Sequence, residues 1–350
     1  MSVALVTGAT GLVGSHIVDR LLADGWTIRV LARSPDLARA ALPADVDIVR
    51  GDVFDESSFT HAAAGTHTIF HAAGNVIVRG GWEAYRHTNV EGTRNAVMAA
   101  ERAKARLLHV SSVAVYGSSR YAPRQSGSRT DEEIELAPLP DRAFYARSKR
   151  ESEAIVLEAH RQGRVWASAV RPCVVYGPRD RQFVPRIAKL ITRGFVPMLH
   201  GGRSILAIVH AVSVADGAVR AATTDRAGGR AYNLANDYDV SVRRFFELAG
   251  EGLGRRPLLV PMPMWLARGM LQGAKWITRA ISGGRFRMIS STALDFIARD
   301  NPFTSERARR ELGWSPTVRP ETGIPAAFRW WKDEGTKHKG RDVASRPETV

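Results

Sequence analysis

The chain has 350 residues, which suits one large domain or two smaller ones, and its 44% hydrophobic content is that of a globular protein. No uninterrupted apolar stretch of roughly 18 residues occurs, which argues against a transmembrane helix. The single cysteine, Cys173, excludes an intramolecular disulfide bond, and the N-terminal MSVALVTGATG lacks the basic leader of a signal peptide. A cytoplasmic location is therefore expected.

The charge balance predicts anionic partners. The chain carries 50 lysine and arginine residues against 35 acidic residues, a net charge of +15. Cofactor phosphates, an anionic substrate, an acidic lipid surface or nucleic acid would each fit this excess. Nucleic acid is disfavoured because the sequence has no RNP-type aromatic motif and no separate basic arm. The sequence also has no zinc-ligand cluster, so no metal site is predicted. The basic tail at 335–350 is predicted to be disordered.

The first half of the chain alternates apolar strand patterns with helical patterns. Strands are predicted at 3–7, 26–32, 46–50, 67–73 and 106–112, and helices up to Gly25 and at 36–41, 55–63 and 82–103. This alternation is typical of an α/β fold with a doubly wound parallel sheet, a Rossmann arrangement. Such sheets bind ligands beyond the carboxyl ends of their strands.

A glycine-rich turn follows the first strand, at the place where such a site begins. A pyrophosphate held at a helix N-terminus needs a tight turn, close approach of the backbone and close packing of helix on strand. Glycines meet these needs, although their GxxGxxG spacing departs from the commonest form. The sequence therefore predicts a nucleotide site formed by Gly8, Thr10, Gly11, Leu12, Val13 and Gly14.

The ends of the second and third strands bear on the choice of cofactor. Arg33 lies at the position that selects the cofactor. A carboxylate there would bind the ribose 2′-hydroxyl of NAD(H), whereas an arginine accommodates the 2′-phosphate of NADP(H). This favours NADP(H), with NAD(H) as the alternative if Arg33 only stacks on the adenine or lies in solvent. The turn holding Asp52 and Val53 is predicted to meet the adenine, although Asp52 could equally cap the next helix.

The stretch AFYARSKRESEA (143–154) is rich in helix formers and places Tyr145 four residues before Lys149. Residues at i and i+4 share a helical face, so the two side chains point the same way. One interpretation is an amphipathic helix with Tyr145 half-buried and Lys149 in water. The other is that the ammonium stabilises a phenolate and lowers the pKa of Tyr145, making it a proton donor and acceptor.

Several motifs resemble those of the extended short-chain dehydrogenase/reductases, the NAD-dependent epimerase/dehydratase family. They occur in that family's order: TGATGLVG (7–14), HAAG (71–74), NVEGT (89–93), VSSVAVYG (110–117), YARSK (145–149), RPCVVYGPRD (171–180) and ELGWSP (311–316). The resemblance implies that Tyr145 is the acid/base, that Lys149 also holds the nicotinamide ribose, and that Ser112 binds the substrate oxygen, with Asn89 in support. Ser111 is the competing serine.

The same resemblance implies further cofactor contacts and a domain division. The contacts are Ala72, Ala73, Gly74, Ser111, Pro172, Cys173 and Val174; Cys173 has no paired histidine motif that would make it a nucleophile. Residues 1–175 would form the cofactor domain and 176–334 a smaller, mostly helical substrate domain, with about 204–234 returning to the first. The loop 117–133 is either a substrate lid or a variable insertion. A homodimer is a family expectation.

The motifs also favour one branch of the family. Ser112-Val113-Ala114 has no carboxylate for dehydration, and the apolar SILAIVHAVSVADG (204–217) departs from nucleotide-sugar epimerases. The segment 257–286 would form either the core and lid of the substrate domain or an apolar substrate pocket, which could lie on a membrane surface. It resembles segments of 3β-hydroxysteroid dehydrogenases and dihydroflavonol reductases, which implies a bulky hydrophobic alcohol or ketone as substrate. Arg179 would meet an anionic substrate group or lie in solvent. The competing functions are a nucleotide-sugar epimerase with tightly bound NAD and a non-catalytic NADP(H) sensor or scaffold.

Overall fold

The computed structural model describes residues 2–76, 81–117, 130–235, 238–263, 265, 266, 269 and 301–344. The strands, in chain order, are β1 Val3–Thr7, β2 Thr27–Ala32, β3 Asp47–Arg50, β4 Thr68–His71, β5 Arg106–Val110, β6 Ala167–Pro172, β7 Val174–Tyr176, β8 Phe195–Leu199, β9 Ile208–His210, β10 Ala231–Leu234 and β11 Leu258–Met262. The helices are α1 Leu12–Ala23, α2 Pro35–Ala41, α3 Glu56–Ala63, α4 Gly81–Tyr85, α5 Gly92–Ala103, α6 Phe144–Arg161, α7 Phe183–Thr192, α8 Ala211–Thr223, α9 Val242–Leu253, α10 Glu306–Leu312 and α11 Pro320–Ala344.

Seven parallel strands form the central sheet, in the order β10-β6-β5-β4-β1-β2-β3. Every residue of β4 and β6 is buried, as expected for a parallel sheet covered on both faces by helices. The doubly wound α/β fold predicted from the alternating pattern is confirmed. Its carboxyl edge, where β1, β4, β5 and β6 end, is the edge that positions the site.

Two strands end earlier than predicted. β4 stops at His71 and β5 at Val110, whereas the strands were predicted to continue to residues 73 and 112. After β4 the chain turns from the ladder, and the Ala73 amide donates to Thr7 Oγ1 at 3.3 Å. After β5 the Ser112 hydroxyl accepts from the Ala114 amide and caps a short 3₁₀ turn, Val113–Tyr116. Local side-chain hydrogen bonds thus replace the strand ladder at both ends.

A separate apolar cluster lies on the C-terminal side of the chain. It is formed by α7, α9, the start of α11 and the strands between them, with Phe245, Phe246 and Phe328 among its fully buried members. A Cβ on Gly252 would lie 2.4 Å from the Pro325 carbonyl oxygen, so glycine permits α9 and α11 to pack closely. β10 rejoins the central sheet beside β6, and α8 packs on α1, whereas β8 pairs with β11 and β7 with β9 in two small parallel sheets. The boundaries at 175 and 334 stay predictions.

Some predictions fall beyond the described residues or need correction. Residues 118–129 of the loop 117–133 and most of the segment 257–286 lie outside the described part of the chain. α11 continues to Ala344, so residues 335–344 are helical where a disordered tail was predicted. Each residue added to an existing helix gains a backbone hydrogen bond without a second nucleation step. Across the described residues, no helix combines the length and apolar character needed to cross a membrane.

Candidate active site

The predicted glycine turn lies tightly against the end of β4. Gly8 has φ +68°, and a Cβ there would come within 2.7 Å of the Ala72 carbonyl carbon and the Ala73 nitrogen. A Cβ on Gly14 would lie 2.2 Å from the Gly8 carbonyl oxygen. Gly8 and Gly14 are therefore required by close backbone approach, as the pyrophosphate-binding interpretation predicts.

The N-terminus of α1 offers unused hydrogen-bond donors. Gly11 is the N-cap residue and supplies no side-chain cap, so within the described residues the first-turn N–H groups of α1, beginning at Leu12 and Val13, have no side-chain acceptor. Thr10 and Gly11 are exposed beside them. Free N–H groups together with the positive end of the helix dipole fit a diphosphate, so these residues suit the pyrophosphate of a dinucleotide.

The ends of β2 and β3 carry the residues predicted to meet the adenosine. Arg33 is exposed and makes no hydrogen bond or ion pair with any described residue. Asp52 Oδ1 accepts from the Phe54 amide at 3.3 Å. The alternative that Asp52 caps the next helix is wrong, because Asp55 is the N-cap of α3 and accepts from the Ser57 amide at 3.0 Å. Val53 is buried beneath this turn.

Lys149 is buried on α6 and has, in the part of the chain that the structure describes, one neutral hydrogen-bond partner. Only 6% of it is exposed, and Nζ donates to the Val110 carbonyl oxygen at 2.8 Å. Burial lowers its pKa to about 8, against the opposing attraction of Glu153. A Cβ on Gly74 would lie 3.3 Å from both Lys149 Nζ and Asn89 Oδ1, so glycine leaves open the space in front of the ammonium.

Tyr145 meets Ser112 at the carboxyl end of β5. Desolvation raises the pKa of the Tyr145 hydroxyl, and the hydrogen bond with Ser112 opposes that rise. The expectation that Lys149 lowers the pKa of Tyr145 is not met, because burial dominates at the hydroxyl. The Lys149 ammonium donates instead to the Val110 carbonyl oxygen. The Ser112–Tyr145 hydrogen bond was not foreseen, and the role of Ser112 toward a substrate oxygen stays a prediction. Tyr145 and Lys149 lie on one face of α6, as their spacing predicts.

Asn89 lies in a π-helical segment, Arg86–Glu91, between α4 and α5. Its Nδ2 donates to the Asn75 carbonyl at 3.0 Å and to Ser148 Oγ at 2.9 Å, and its Oδ1 accepts from the Asn75 amide at 2.7 Å. The side chain thereby ties the chain after β4 to the first turns of α6. The sequence did not predict the π-helix, a feature that is frequent at functional sites.

The remaining predicted cofactor residues surround the ends of β5 and β6. Ser111 Oγ is buried and has no hydrogen-bond partner among the described residues, which leaves a donor free for a ligand. Pro172 ends β6, and the half-buried Val174 begins β7. Burial raises the pKa of the Cys173 thiol, so a thiolate is disfavoured there, in agreement with the prediction that Cys173 is no nucleophile.

An aromatic wall beside Tyr145, formed by Trp82, Tyr85 and Phe144, was not foreseen. The Tyr85 ring lies 6.4 Å from the Tyr145 ring, and Phe144 lies 6.5 Å from both Tyr85 and Trp82. The Arg147 guanidinium covers the Trp82 ring at 3.9 Å. All three wall residues are half-buried. The i, i+3 spacing of Trp82 and Tyr85 at the start of a helical pattern was the available signal.

Arg179 forms an ion pair with Asp19 of α1 and has φ +70°, so it does not lie free in solvent. Its contact with an anionic substrate group stays a prediction. Within the described ranges, no group of His, Cys, Asp and Glu side chains is arranged to hold a metal ion.

The likeness to known proteins agrees with this geometry. A family model described as the NAD dependent epimerase/dehydratase family matches residues 4–235, and the chain belongs to this family. It is 28% identical over 324 residues to a 4-hydroxy-2-methyl-3-oxo-4-farnesyl-3,4-dihydroquinoline-1-oxide ketoreductase of Stigmatella aurantiaca, covering 92% of this chain and 94% of that protein. A 3 beta-hydroxysteroid dehydrogenase/Delta 5-->4-isomerase of Mycobacterium tuberculosis is 27% identical over 336 residues, covering 89% and 85% of the two chains.

A solved structure shows the same fold. The UDP-glucuronic acid 4-epimerase of Bacillus cereus in complex with NAD has a TM-score of 0.71 at 18% identity, covering 95% of this chain and 99% of that one. The protein is therefore an enzyme of an NAD-dependent oxidoreductase family, as the motifs predicted. Its substrate and its choice between NAD and NADP are proposals.

Proposed function

We propose that this enzyme interconverts a secondary alcohol and a ketone on a bulky, hydrophobic ring substrate. The observation that carries this proposal is the aromatic wall, formed by Trp82, Tyr85 and Phe144, beside the Tyr145–Ser112 pair. Half-buried aromatic rings stack on flat apolar substrates and offer few polar groups to a sugar nucleotide. The relatives named for a quinoline-oxide ketoreductase and a hydroxysteroid dehydrogenase support a carbonyl or hydroxyl on a ring system.

Each site residue takes a role that its position suits. A bound nicotinamide supplies the hydride chemistry. Tyr145 gives or takes the proton at the substrate oxygen, and Ser112 hydrogen-bonds that oxygen and fixes its position. Lys149 binds the nicotinamide ribose in the space beside Gly74. Asn89 holds the chain after β4 against α6, so that the groups stay in register.

NADP(H) is the preferred cofactor in this proposal. Arg33 is exposed at the end of β2 without an ion-pair partner in the described chain, so its guanidinium is available to a 2′-phosphate. A fluorescence titration of nucleotide-free protein with NADPH and, separately, NADH tests this preference. We expect NADPH to bind at least about tenfold tighter, a difference of about 1.4 kcal/mol. Arg33→Asp should remove the difference, and equal weakening of both cofactors would exclude a selecting role for Arg33.

The substrate class is tested with NADPH and matched ketones. Ring ketones of the steroid and quinoline type are compared with open-chain ketones of the same carbon count by kcat/KM. Tyr85→Ala should reduce the ring preference about tenfold, whereas Tyr85→Leu, which keeps apolar volume, should lose less. Equal rates for ring and open-chain ketones would exclude the aromatic wall as a specificity element. NAD that stays bound without exchange, together with epimerisation of a nucleotide sugar, would overturn the proposed reaction.

A further inference from the structure

Two large apolar side chains lie side by side in solvent on the C-terminal side of the molecule. β8 and β11 are parallel neighbours, and their register places Phe195 directly opposite Leu258. Each is the first residue of its strand, so both lie at the same end of this small sheet. Phe195 is 48% exposed and Leu258 is 62% exposed. Adjacent exposed side chains of this size commonly mark an interaction surface.

Basic residues flank this apolar pair. Arg193 precedes Phe195 by two residues, and Arg255 and Arg256 precede Leu258. Lys189 lies one helical turn before Arg193, on the same face of the end of α7. All four are exposed, and none forms an ion pair with a described residue. We call the six residues the basic-apolar patch: Lys189, Arg193, Phe195, Arg255, Arg256 and Leu258.

The acidic residue nearest in the chain to the two arginines of the basic-apolar patch is paired with another arginine. Glu251, the carboxylate nearest to Arg255 in the chain, lies 3.4 Å from the Arg244 guanidinium. The patch thus combines exposed apolar groups with cations that have no protein counter-ion in the described chain.

We propose that the basic-apolar patch docks the enzyme peripherally on an anionic lipid surface. Such a surface offers a dense layer of negative charge for the four cations and an apolar boundary into which Phe195 and Leu258 can insert. An acidic protein partner fits less well, because two apolar side chains are few for the centre of a stable protein interface. The sequence had predicted membrane contact through 257–286; the surface proposed here overlaps that segment only at its start. It does not depend on the substrate proposed above.

Vesicle flotation of the full chain tests the proposal. We expect binding to vesicles of phosphatidylcholine with about 30 mol% phosphatidylglycerol, weak binding to pure phosphatidylcholine, and loss of binding at about 0.5 M salt. Arg255→Gln with Arg256→Gln should lower the partition coefficient about 25-fold, since each cation near an anionic surface contributes about fivefold. The matched control, Arg39→Gln with Arg226→Gln, removes the same charge from other surfaces and should change binding less than about twofold.

The apolar contribution needs its own variants. Phe195→Ser with Leu258→Ser should weaken vesicle binding about tenfold or more, whereas Leu37→Ser, at a residue 71% exposed on α2, should not. A polarity-sensitive dye can be attached selectively through Phe195→Cys, because the other thiol, Cys173, is buried. Its fluorescence emission should shift to the blue on adding anionic vesicles, because the dye enters the apolar layer. Thermal unfolding verifies that each variant is folded. Failure to float with anionic vesicles, or equal losses in patch and control variants, would overturn the proposal.

Discussion

Two successive turns of α6 treat buried charge in opposite ways. Tyr145, Lys149 and Glu153 are spaced four residues apart on one face of the helix. In the turn that holds Lys149, the ammonium has one neutral acceptor among the described residues, the Val110 carbonyl oxygen. One turn further, Glu153 accepts from Arg171 Nε at 3.0 Å and from Nη2 at 2.5 Å, and Arg171 Nη1 donates to the Tyr116 hydroxyl at 2.7 Å.

This difference distinguishes a residue available for ligand binding, Lys149, from a pair that stabilises the fold, Glu153 and Arg171. The Glu153–Arg171 pair is buried, and Arg171 also donates to the Tyr116 hydroxyl, so the pair fixes α6 to β6 and to the 3₁₀ turn after Ser112. Lys149 is left under-coordinated, so its ammonium is available to a ligand but lowers the stability of the folded chain. Functional sites often keep polar groups that are incompletely hydrogen-bonded within the protein, at a cost in stability. The two turns should therefore respond in opposite directions to substitution.

The largest effect is expected on activity at Tyr145. Tyr145→Phe removes the proton donor but retains the ring and its packing. With the best ketone of the panel, kcat should fall about 10³-fold, the usual contribution of general acid–base catalysis. Cofactor affinity, measured by NADPH fluorescence, should stay within about twofold. Turnover close to that of the parent would contradict the acid/base role.

Removing Glu153 should cause the largest loss of stability. Glu153→Ala leaves the Arg171 charge buried and unpaired, which should lower the free energy of unfolding by about 3–5 kcal/mol in urea titrations. The double variant Glu153→Leu with Arg171→Met removes both charges and should recover most of that loss. If the double variant is no more stable than Glu153→Ala, desolvated charge is not the cause.

Lys149 should respond in the opposite direction. Its pKa in the folded chain, about 8, lies below its ordinary value of 10.5, so the unfolded chain binds more protons between these values and stability rises with pH across that window. Below pH 8 the buried ammonium lowers the free energy of unfolding by about 3 kcal/mol, and its hydrogen bond to Val110 partly offsets this loss. Lys149→Met should therefore be about 1–2 kcal/mol more stable than the parent at pH 7. The gain should vanish near pH 10.

Urea unfolding of both proteins at pH 7 and pH 9.5, without added nucleotide, measures this change. Lys149→Arg keeps the charge and serves as the control, which should show no gain at either pH. A variant Lys149→Met that is less stable than the parent by the same amount at both pH values would show that the ammonium contributes to the fold.

The sequence predicted the local features of this arrangement. Apolar runs and glycines specified the strand order along the chain and the turn from Gly8 to Gly14, because both follow from backbone sterics and periodicity. The Tyr145–Lys149 spacing predicted a shared helical face for the same reason. The family resemblance, not spacing, supplied the roles of Ser112 and Asn89.

The non-local features could not be predicted in that way. Glu153 was part of the quoted helix and Arg171 of a quoted motif, but their pairing depends on how α6 docks on β6. The aromatic wall depends on the packing of α4 against α6, which brings the Tyr85 ring to 6.4 Å from the Tyr145 ring. The pKa of Tyr145 was expected to be lowered, yet it depends on where the Lys149 ammonium points, which only the packed structure determines.

The smallest effect is expected at the far end of the supporting network. The Tyr116 hydroxyl accepts from Arg171 and donates to Asn233 Oδ1 at 2.8 Å, joining α6 and β6 to the edge strand β10. Tyr116→Phe keeps the buried ring, which the Arg171 guanidinium covers at 4.9 Å, and should cost about 1–2 kcal/mol for the two lost hydrogen bonds. Because Arg171 keeps both bonds to Glu153, the position of α6 should hold and kcat should change less than about twofold. A fall in kcat without a matching loss of stability would instead place Tyr116 among the residues that position Ser112. The network of Glu153, Arg171 and Tyr116 would then contribute to catalysis as well as to the stability of the fold.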